Sequence, residues 1–324
     1  MKHNKFFISV IFIFLNYFFY SETFTVMSFN IQGASGQHRA NNTEWVNDIA
    51  EIIKMSNADI VLLQETPILS DSDIKGEFIR VLKDSLKEKQ SLKKWSGIST
   101  FNYLRNDYNN KKPPFTLNNA VLYNSEVFMT LGNGRYPINF QDSKLFINYK
   151  SYFNNFQVIQ FAFKNNMSKK FLIMNIHTYY QDPKFDLEKM GNIINAYCNN
   201  QSFIIAGDFN MSIRMVYETI RNYGNKKIYI DGNTNPIDDT GLKTTISTKC
   251  KNNELFLAND YDHFLYSGKI KNIGVIHHVF SNIQLSSYPK NYIKVGEKNY
   301  NNKTRNFRSE ISDHLPVVMT FEYK

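Results

Sequence analysis

Apolar and polar positions change places along this chain in short blocks, separated by a few stripes at helical spacing. Residues 24–29 mix β-branched and aromatic side chains and predict a strand. Thr43 can cap a helix that carries Trp45, Ile49, Ile52 and Ile53 on one face. Residues 59–64 contain Ile-Val-Leu-Leu, an apolar run of the length of a buried strand, and residues 73–90 are charged with helical spacing. Residues 120–123, 156–163 and 171–176 predict further strands. Pro183 opens a helix whose Leu187, Met190, Ile194 and Tyr197 form one stripe. A short strand at 203–206 and a helix at 213–223 follow, then late strands at 261–266, 274–280 and 317–323. The polar stretches 103–118 and 231–259 read as long loops.

Strands outnumber helices and no Gly, Pro or Ser-rich linker divides them, so the pattern predicts one α/β domain over residues 22–324. Its architecture is a four-layer α/β sandwich, two packed sheets with helices outside. Residues 1–21 stand apart. Lys2, His3 and Lys5 precede an apolar run, 6–20, that falls short of the roughly 20 residues a membrane span needs. This reads as a signal peptide, which makes the mature protein secreted and leaves it no stable membrane span. An uncleaved N-terminal anchor is the alternative, since no small-x-small pair precedes Glu22.

Composition narrows the class. With 27 Phe and 20 Tyr in 324 residues the chain has ample material for a core, which excludes global disorder. Two cysteines exclude a disulfide-stapled miniprotein and a four-Cys zinc module. After export Cys198 and Cys250 could pair, or remain two separate thiols. The net charge of +9 favours phosphate-bearing partners.

The candidate chemistry sits where apolar runs stop. Five segments place polar side chains directly after a strand: Asn30-Ile31-Gln32-Gly33, Gln64-Glu65-Thr66, Asn175-Ile176-His177-Thr178, Gly207-Asp208-Phe209-Asn210 and Ser312-Asp313-His314. A sixth, Tyr261-Asp262-His263, opens a strand. Ligand-bearing groups at strand ends are how a sheet scaffold builds a rigid site. Singly each is weak, because a Gly-Asp is commonly a turn and an acid after a strand commonly a helix cap.

Together, in this order, they resemble the endonuclease/exonuclease/phosphatase superfamily, the deoxyribonuclease I-like fold. Gly207-Asp208-Phe209-Asn210, Ser312-Asp313-His314 with Pro316, and Glu65 after Gln64 carry the likeness. Asn30-Ile31-Gln32-Gly33-Ala34-Ser35, Asn118-Asn119-Ala120-Val121 and Arg308-Ser309 are similar to the B component of cytolethal distending toxin. The chain departs from that branch in Tyr179-Tyr180-Gln181-Asp182 after His177, and in Lys150 where the branch has Arg. The resemblance implies a Mg²⁺-dependent phosphodiester hydrolase, with Mn²⁺ or Ca²⁺ as substitutes, acting on DNA. Toxin delivery subunits are its implied partners.

The resemblance also implies roles. Glu65 is the direct metal ligand, with Asn30 and Asp313 beside it. Asp208 holds the attacking water, Asn210 binds a phosphate oxygen, and His314 is the base or phosphate-stabilising cation. Asp262 orients the His314 ring, and His177 donates to a non-bridging or leaving oxygen; a carboxylate partner for His177 is implied, without a position for it. Asp260 competes with Asp262 by period two, and His263 should face the other way. Gln32, Lys150, Lys303, Arg305 and Arg308 are the substrate-binding candidates, the last three in a basic run from Lys290 to Arg308. His277 and His278 are a weak metal signal, more simply sheet-edge residues. With no Cys-rich or His-rich cluster, zinc is disfavoured. The rival functions are a phospholipid-directed phosphodiesterase or phosphatase on the same fold, such as a sphingomyelinase or phosphoinositide phosphatase, and a binding protein with a decayed site. No aromatic hairpin suited to membranes is evident in the sequence, and every position of the pattern keeps a competent residue.

Overall fold

A computed structural model describes residues 21–32, 43–67, 77–89, 91–99, 119–131, 156–178, 180–197, 201–220, 228–231, 244–245, 259–274, 277–278 and 312–324. Cys198, Cys250, Lys150, Lys303, Arg305, Arg308 and residues 1–20 lie outside these residues.

The elements in chain order are β1 (Glu22–Asn30), α1 (Thr43–Ser56), β2 (Ile60–Gln64), α2 (Glu77–Glu88), β3 (Trp95–Ser99), β4 (Ala120–Asn124) and β5 (Phe128–Leu131). Then come β6 (Phe156–Phe163), β7 (Asn166–His177), α3 (Pro183–Tyr197), β8 (Ser202–Asp208), α4 (Ile213–Ile220), β9 (Tyr229–Ile230) and β10 (Asp262–Ser267). β11 (Ile270–Asn272), β12 (His277–His278) and β13 (Val317–Tyr323) complete the set. Among the described residues no helix is long and apolar enough to cross a membrane.

Two mixed sheets result. One runs β11-β13-β1-β2-β4-β3, with β12 also on β13; the other runs β5-β6-β7-β8-β10-β9. Each holds a single parallel pair, β1 with β2 and β7 with β8. Parallel neighbours need a crossover, and α1 and α3 supply it. Trp45, Ile49 and Ile53 of α1 pack with Phe78 and Leu82 of α2 onto Met27, Phe29, Val61 and Leu63, the outer face of the first sheet. Leu187, Met190 and Ile194 of α3 and Val216 and Ile220 of α4 cover Leu172, Met174, Phe203 and Ile205 of the second. The architecture is therefore the α/β sandwich of four layers.

Alternation decides what lies between the sheets. Phe24 and Val26, Ile60 and Leu62, Phe171 and Ile173, Ile204 and Ala206, and Phe264 and Tyr266 share one inter-sheet core. At one pole this core is a plug of rings: Phe24 lies 5.2 to 5.9 Å from Phe128, Phe163, Phe171 and Phe321. The same alternation carried to the other pole gives Ser28 and Asn30, Gln64, Asn175 and His177, Asp208, and Asp262, all buried. The sandwich is thus apolar at one end and polar at the other.

The strand predicted over 274–280 forms differently. Ile270–Asn272 and His277–His278 pair with β13 as two short segments, and Ile273 and Gly274 bend between them. Asn272, whose amide donates to the Gly274 carbonyl at 2.9 Å, holds that bend.

Candidate active site

The polar pole is set by register. Asn30 stands opposite Gln64, His177 opposite Asp208, and Asp208 opposite Asp262. The last turn before β13 closes the ring: the Ser312 hydroxyl donates to the Asn30 carbonyl at 2.6 Å and accepts from the His314 amide at 3.1 Å. Thr244, which no motif of the sequence marks, ties the remaining pieces. Its hydroxyl accepts the amides of Tyr261 and Asp262 at 3.2 and 3.1 Å, and its carbonyl accepts the Leu315 amide at 2.8 Å.

Tight backbone turns aim the side chains. Gln32, Glu65 and Asn210 have φ of 50°, 52° and 48°, a region costly for residues with a Cβ, and each closely follows a site strand end. Gly207 has φ of 150°, and a Cβ there would stand 1.9 Å from the Ile176 carbonyl oxygen. Only glycine lets β7 and β8 approach so closely just below His177 and Asp208.

Asp208 is the hub. Its Oδ1 accepts the Asn210 amide at 2.8 Å and its Oδ2 accepts the Asn30 side-chain amide at 3.1 Å. Two imidazoles face the same Oδ2, His177 Nε2 at 3.5 Å and His314 Nε2 at 3.4 Å. These separations exceed a tight hydrogen bond, so a water or a phosphate oxygen could share the space. Glu65 Oε1 lies 3.1 Å from the Asn30 amide nitrogen and 3.7 Å from His177 Nε2. The Asn210 side-chain amide donates to the Thr178 carbonyl at 3.0 Å.

Asp262 and His314 meet at 2.8 Å between Oδ2 and Nδ1. Burial disfavours the charged ring, but Asp262, Asp208 and Asp313 outweigh it and raise the His314 pKa to about 10. Burial raises the Asp262 pKa, and His314 and the Thr244 hydroxyl oppose that rise. Asp260 acts elsewhere, because its Oδ2 accepts the Ile213 amide at 2.9 Å and caps α4. His263 points to the opposite face, with Nδ1 2.7 Å from Asp231 and Nε2 3.0 Å from the Met211 carbonyl.

Of the candidates, Asn30, Glu65, His177, Asp208, Asn210, Asp262 and His314 converge at this pole. Asp313 lies in the turn beside His314, and the Gln32 amide donates to Asn30 Oδ1 at 3.0 Å. Lys150, Lys303, Arg305 and Arg308 fall outside the described residues. Among those residues the buried His177 Nδ1 meets no hydrogen-bond partner, and the carboxylates that face this ring, Asp208 and Glu65, lie on its Nε2 side.

The donor set suits a hard cation. Glu65 and Asp208 both meet the Asn30 amide, Asp262 and Asp313 act on His314, and oxygen donors without thiolate suit a hard divalent ion better than a soft one. Among the described residues no group of three or more His, Cys, Asp or Glu side chains is arranged to hold a metal ion. Asn30 turns its amide nitrogen, rather than its oxygen, toward Glu65 and Asp208, so in this arrangement it orients Glu65.

Comparison with known proteins places the chain. Residues 27–314 match the model of the Endonuclease/Exonuclease/phosphatase family. No curated protein matches the sequence. Among solved structures, an endonuclease/exonuclease/phosphatase family protein from Bacteroides thetaiotaomicron is 14% identical with a TM-score of 0.54, over 94% of this chain and 100% of that one. Truncated TDP2 of Caenorhabditis elegans is 17% identical with a TM-score of 0.51, over 93% and 98%. TDP2 of D. rerio, complexed with single strand DNA product, is 13% identical with a TM-score of 0.52, over 93% and 99%. At such identities the likeness is one of fold.

Proposed function

The chain belongs to the endonuclease/exonuclease/phosphatase family, and from that premise we propose that it is a Mg²⁺-dependent phosphodiesterase acting on DNA as an endonuclease. The observation that carries the reading is the convergence of two imidazoles and the Asn30 amide on one buried carboxylate, Asp208, with Glu65 alongside.

Each residue has a part in in-line hydrolysis. Asp208 accepts a hydrogen bond from the attacking water and orients it toward phosphorus. His314, its tautomer and orientation fixed by Asp262, stands at the phosphate as base or cation. His177 donates from Nε2 to a non-bridging or leaving oxygen, and Asn210 approaches the phosphate from the Asp208 side. Glu65 and Asp313 would hold a divalent ion, which would supply Lewis-acid stabilisation of the charge that builds on phosphate oxygen.

DNA is favoured by the net charge of +9 and by the fold shared with a TDP2 structure that holds a single strand DNA product. Resemblance to the B component of cytolethal distending toxin at residues 30–35 and 308–314 favours a secreted genotoxin that works with delivery subunits, with residues 1–21 as its leader.

Plasmid nicking measured beside hydrolysis of sphingomyelin and phosphoinositides, each with and without Mg²⁺, tests the reading. Mg²⁺-dependent nicking that EDTA abolishes is the expected result. Lipid hydrolysis without nicking would move the protein to the phospholipid branch, and nicking that survives EDTA would remove the metal mechanism.

A further inference from the structure

Between the apolar core and the candidate active site lies a thin polar layer made of Ser28, Gln64 and Asn175, each fully buried. Aliphatic side chains would fill this space without that burden, since a buried amide group left without a partner is destabilising. The layer even retains such a group, because Gln64 Oε1 meets no partner among the described residues.

The hydrogen bonds run from sheet to sheet. Asn175, on β7, donates to the carbonyls of Leu63 on β2 and Ala120 on β4 at 2.9 and 3.1 Å. Leu63 and Ala120 are the last register pair of those strands, so the amide continues the first sheet's ladder from the second sheet. Asn175 Oδ1 accepts the Gln64 side-chain amide at 2.7 Å, and that amide also reaches the Ser28 hydroxyl at 3.3 Å.

What flanks these residues gives the layer its meaning. Gln64 directly precedes Glu65, whose φ of 52° leaves its carboxylate direction to the backbone at 63–65. Asn175 precedes His177 by one alternation, so both point into the same inter-sheet space. Apolar contact is non-directional and would let one sheet slide on the other by fractions of an ångström. Directional bonds do not, and the Glu65 to His177 separation of 3.7 Å is spanned from opposite sheets.

We propose that Gln64 and Asn175 are a positioning pair, a cross-sheet link that sets Glu65 on the first sheet against His177 on the second. This deepens the proposed function and rests on Glu65 as the metal-holding carboxylate.

The test is a titration of the full chain with Mg²⁺ alone, read as the shift in unfolding temperature and by calorimetry, followed by the Mg²⁺ dependence of nicking. Gln64→Leu keeps the volume and removes the link to Asn175. The expected variant unfolds cooperatively and needs about tenfold more Mg²⁺ in both readouts, as loss of an outer partner of a metal ligand does, with the KM for DNA unchanged. Should Gln64→Leu fail to fold, Asn175→Asp, which keeps the acceptor and loses both donors, is read by the same criterion. A lowered unfolding temperature with unchanged Mg²⁺ half-saturation overturns the pair, which is then an ordinary core contact. Glu65→Gln separates the two readings. If it binds Mg²⁺ as the parent does, the metal reading falls. If it loses Mg²⁺ while Gln64→Leu retains it, only the positioning pair falls.

Discussion

At the scale of single residues, what matters is which carboxylate meets which ring. Asp260 and Asp262 are indistinguishable by period two, yet the structure gives Asp262 to His314 at 2.8 Å and Asp260 to the Ile213 amide at 2.9 Å. His314→Ala should lower the rate by about 10²–10⁴, the range for a general acid–base group. Asp262→Asn keeps the shape but no longer supports the imidazolium or the right tautomer, so its loss should also be large. The double variant should be little worse than His314→Ala alone, because the two act as a unit. Asp260→Asn can still cap α4 and should leave kcat/KM almost unchanged. Losses at 262 and 314 that simply multiply would place Asp262 outside the pair. Much of the site was legible because the chemistry falls where an apolar run stops, and one pattern at the end of β1, β2, β7 and β8 marks it. Thr244 and Asp231 were not legible. Each works through long-range contacts to the Tyr261–Phe264 backbone from a stretch with no periodic pattern. Asn175 stands in plain view two residues before His177, but only the partner sheet reveals what its amide does.

At the scale of elements, the close approach of β7 and β8 makes a sharp demand. Gly207→Ala would push a methyl to 1.9 Å from the Ile176 carbonyl at a φ of 150°, so the strands must part where they present His177 and Asp208. The expected cost is about 3 kcal/mol or more, from overpacking and backbone strain together, measured by chemical denaturation. A near-neutral Gly207→Ala would mean that the β7–β8 spacing is not what places the hub. The outer face of β10 gives a second prediction. His263 is buried with both ring nitrogens facing acceptors, and although burial opposes the charge, Asp231 and the Met211 carbonyl raise its pKa to about 9. The folded state therefore binds this proton more tightly than the unfolded state, whose histidine titrates near 6.5. Its stabilisation, about 3 kcal/mol at full shift, is complete below pH 6.5 and is lost as pH rises toward 9. Denaturation midpoints across that window should fall, and a His263→Asn variant should flatten the fall. The shorter strands are hidden in the sequence for a related reason. Trp95–Ser99 and Phe128–Leu131 are too short and too mixed to show alternation, and become strands by pairing with β4 and β6.

At the scale of the whole molecule, the sandwich separates two functions along one axis. A plug of rings at one pole holds the sheets together, and the same alternating positions present carboxylates and imidazoles at the other. The carboxylates of the site lower its local charge, while the chain as a whole carries +9, so most of the excess positive charge lies outside the site. The run from Lys290 to Arg308 is the strongest concentration of such charge, with Glu297 its one acid before Arg308. Its residues lie outside the described ones. Neutralising Lys298, Lys303 and Arg305 together should weaken DNA binding at low salt. It should also reduce the slope of log affinity against log salt by about one for each phosphate no longer neutralised, up to about three in all. Unfolding temperature and Mg²⁺ half-saturation should stay as in the parent, since none of the three is a catalytic or metal-holding candidate. An unchanged salt slope would show that the run is a solvated loop and that the DNA backbone is gripped elsewhere.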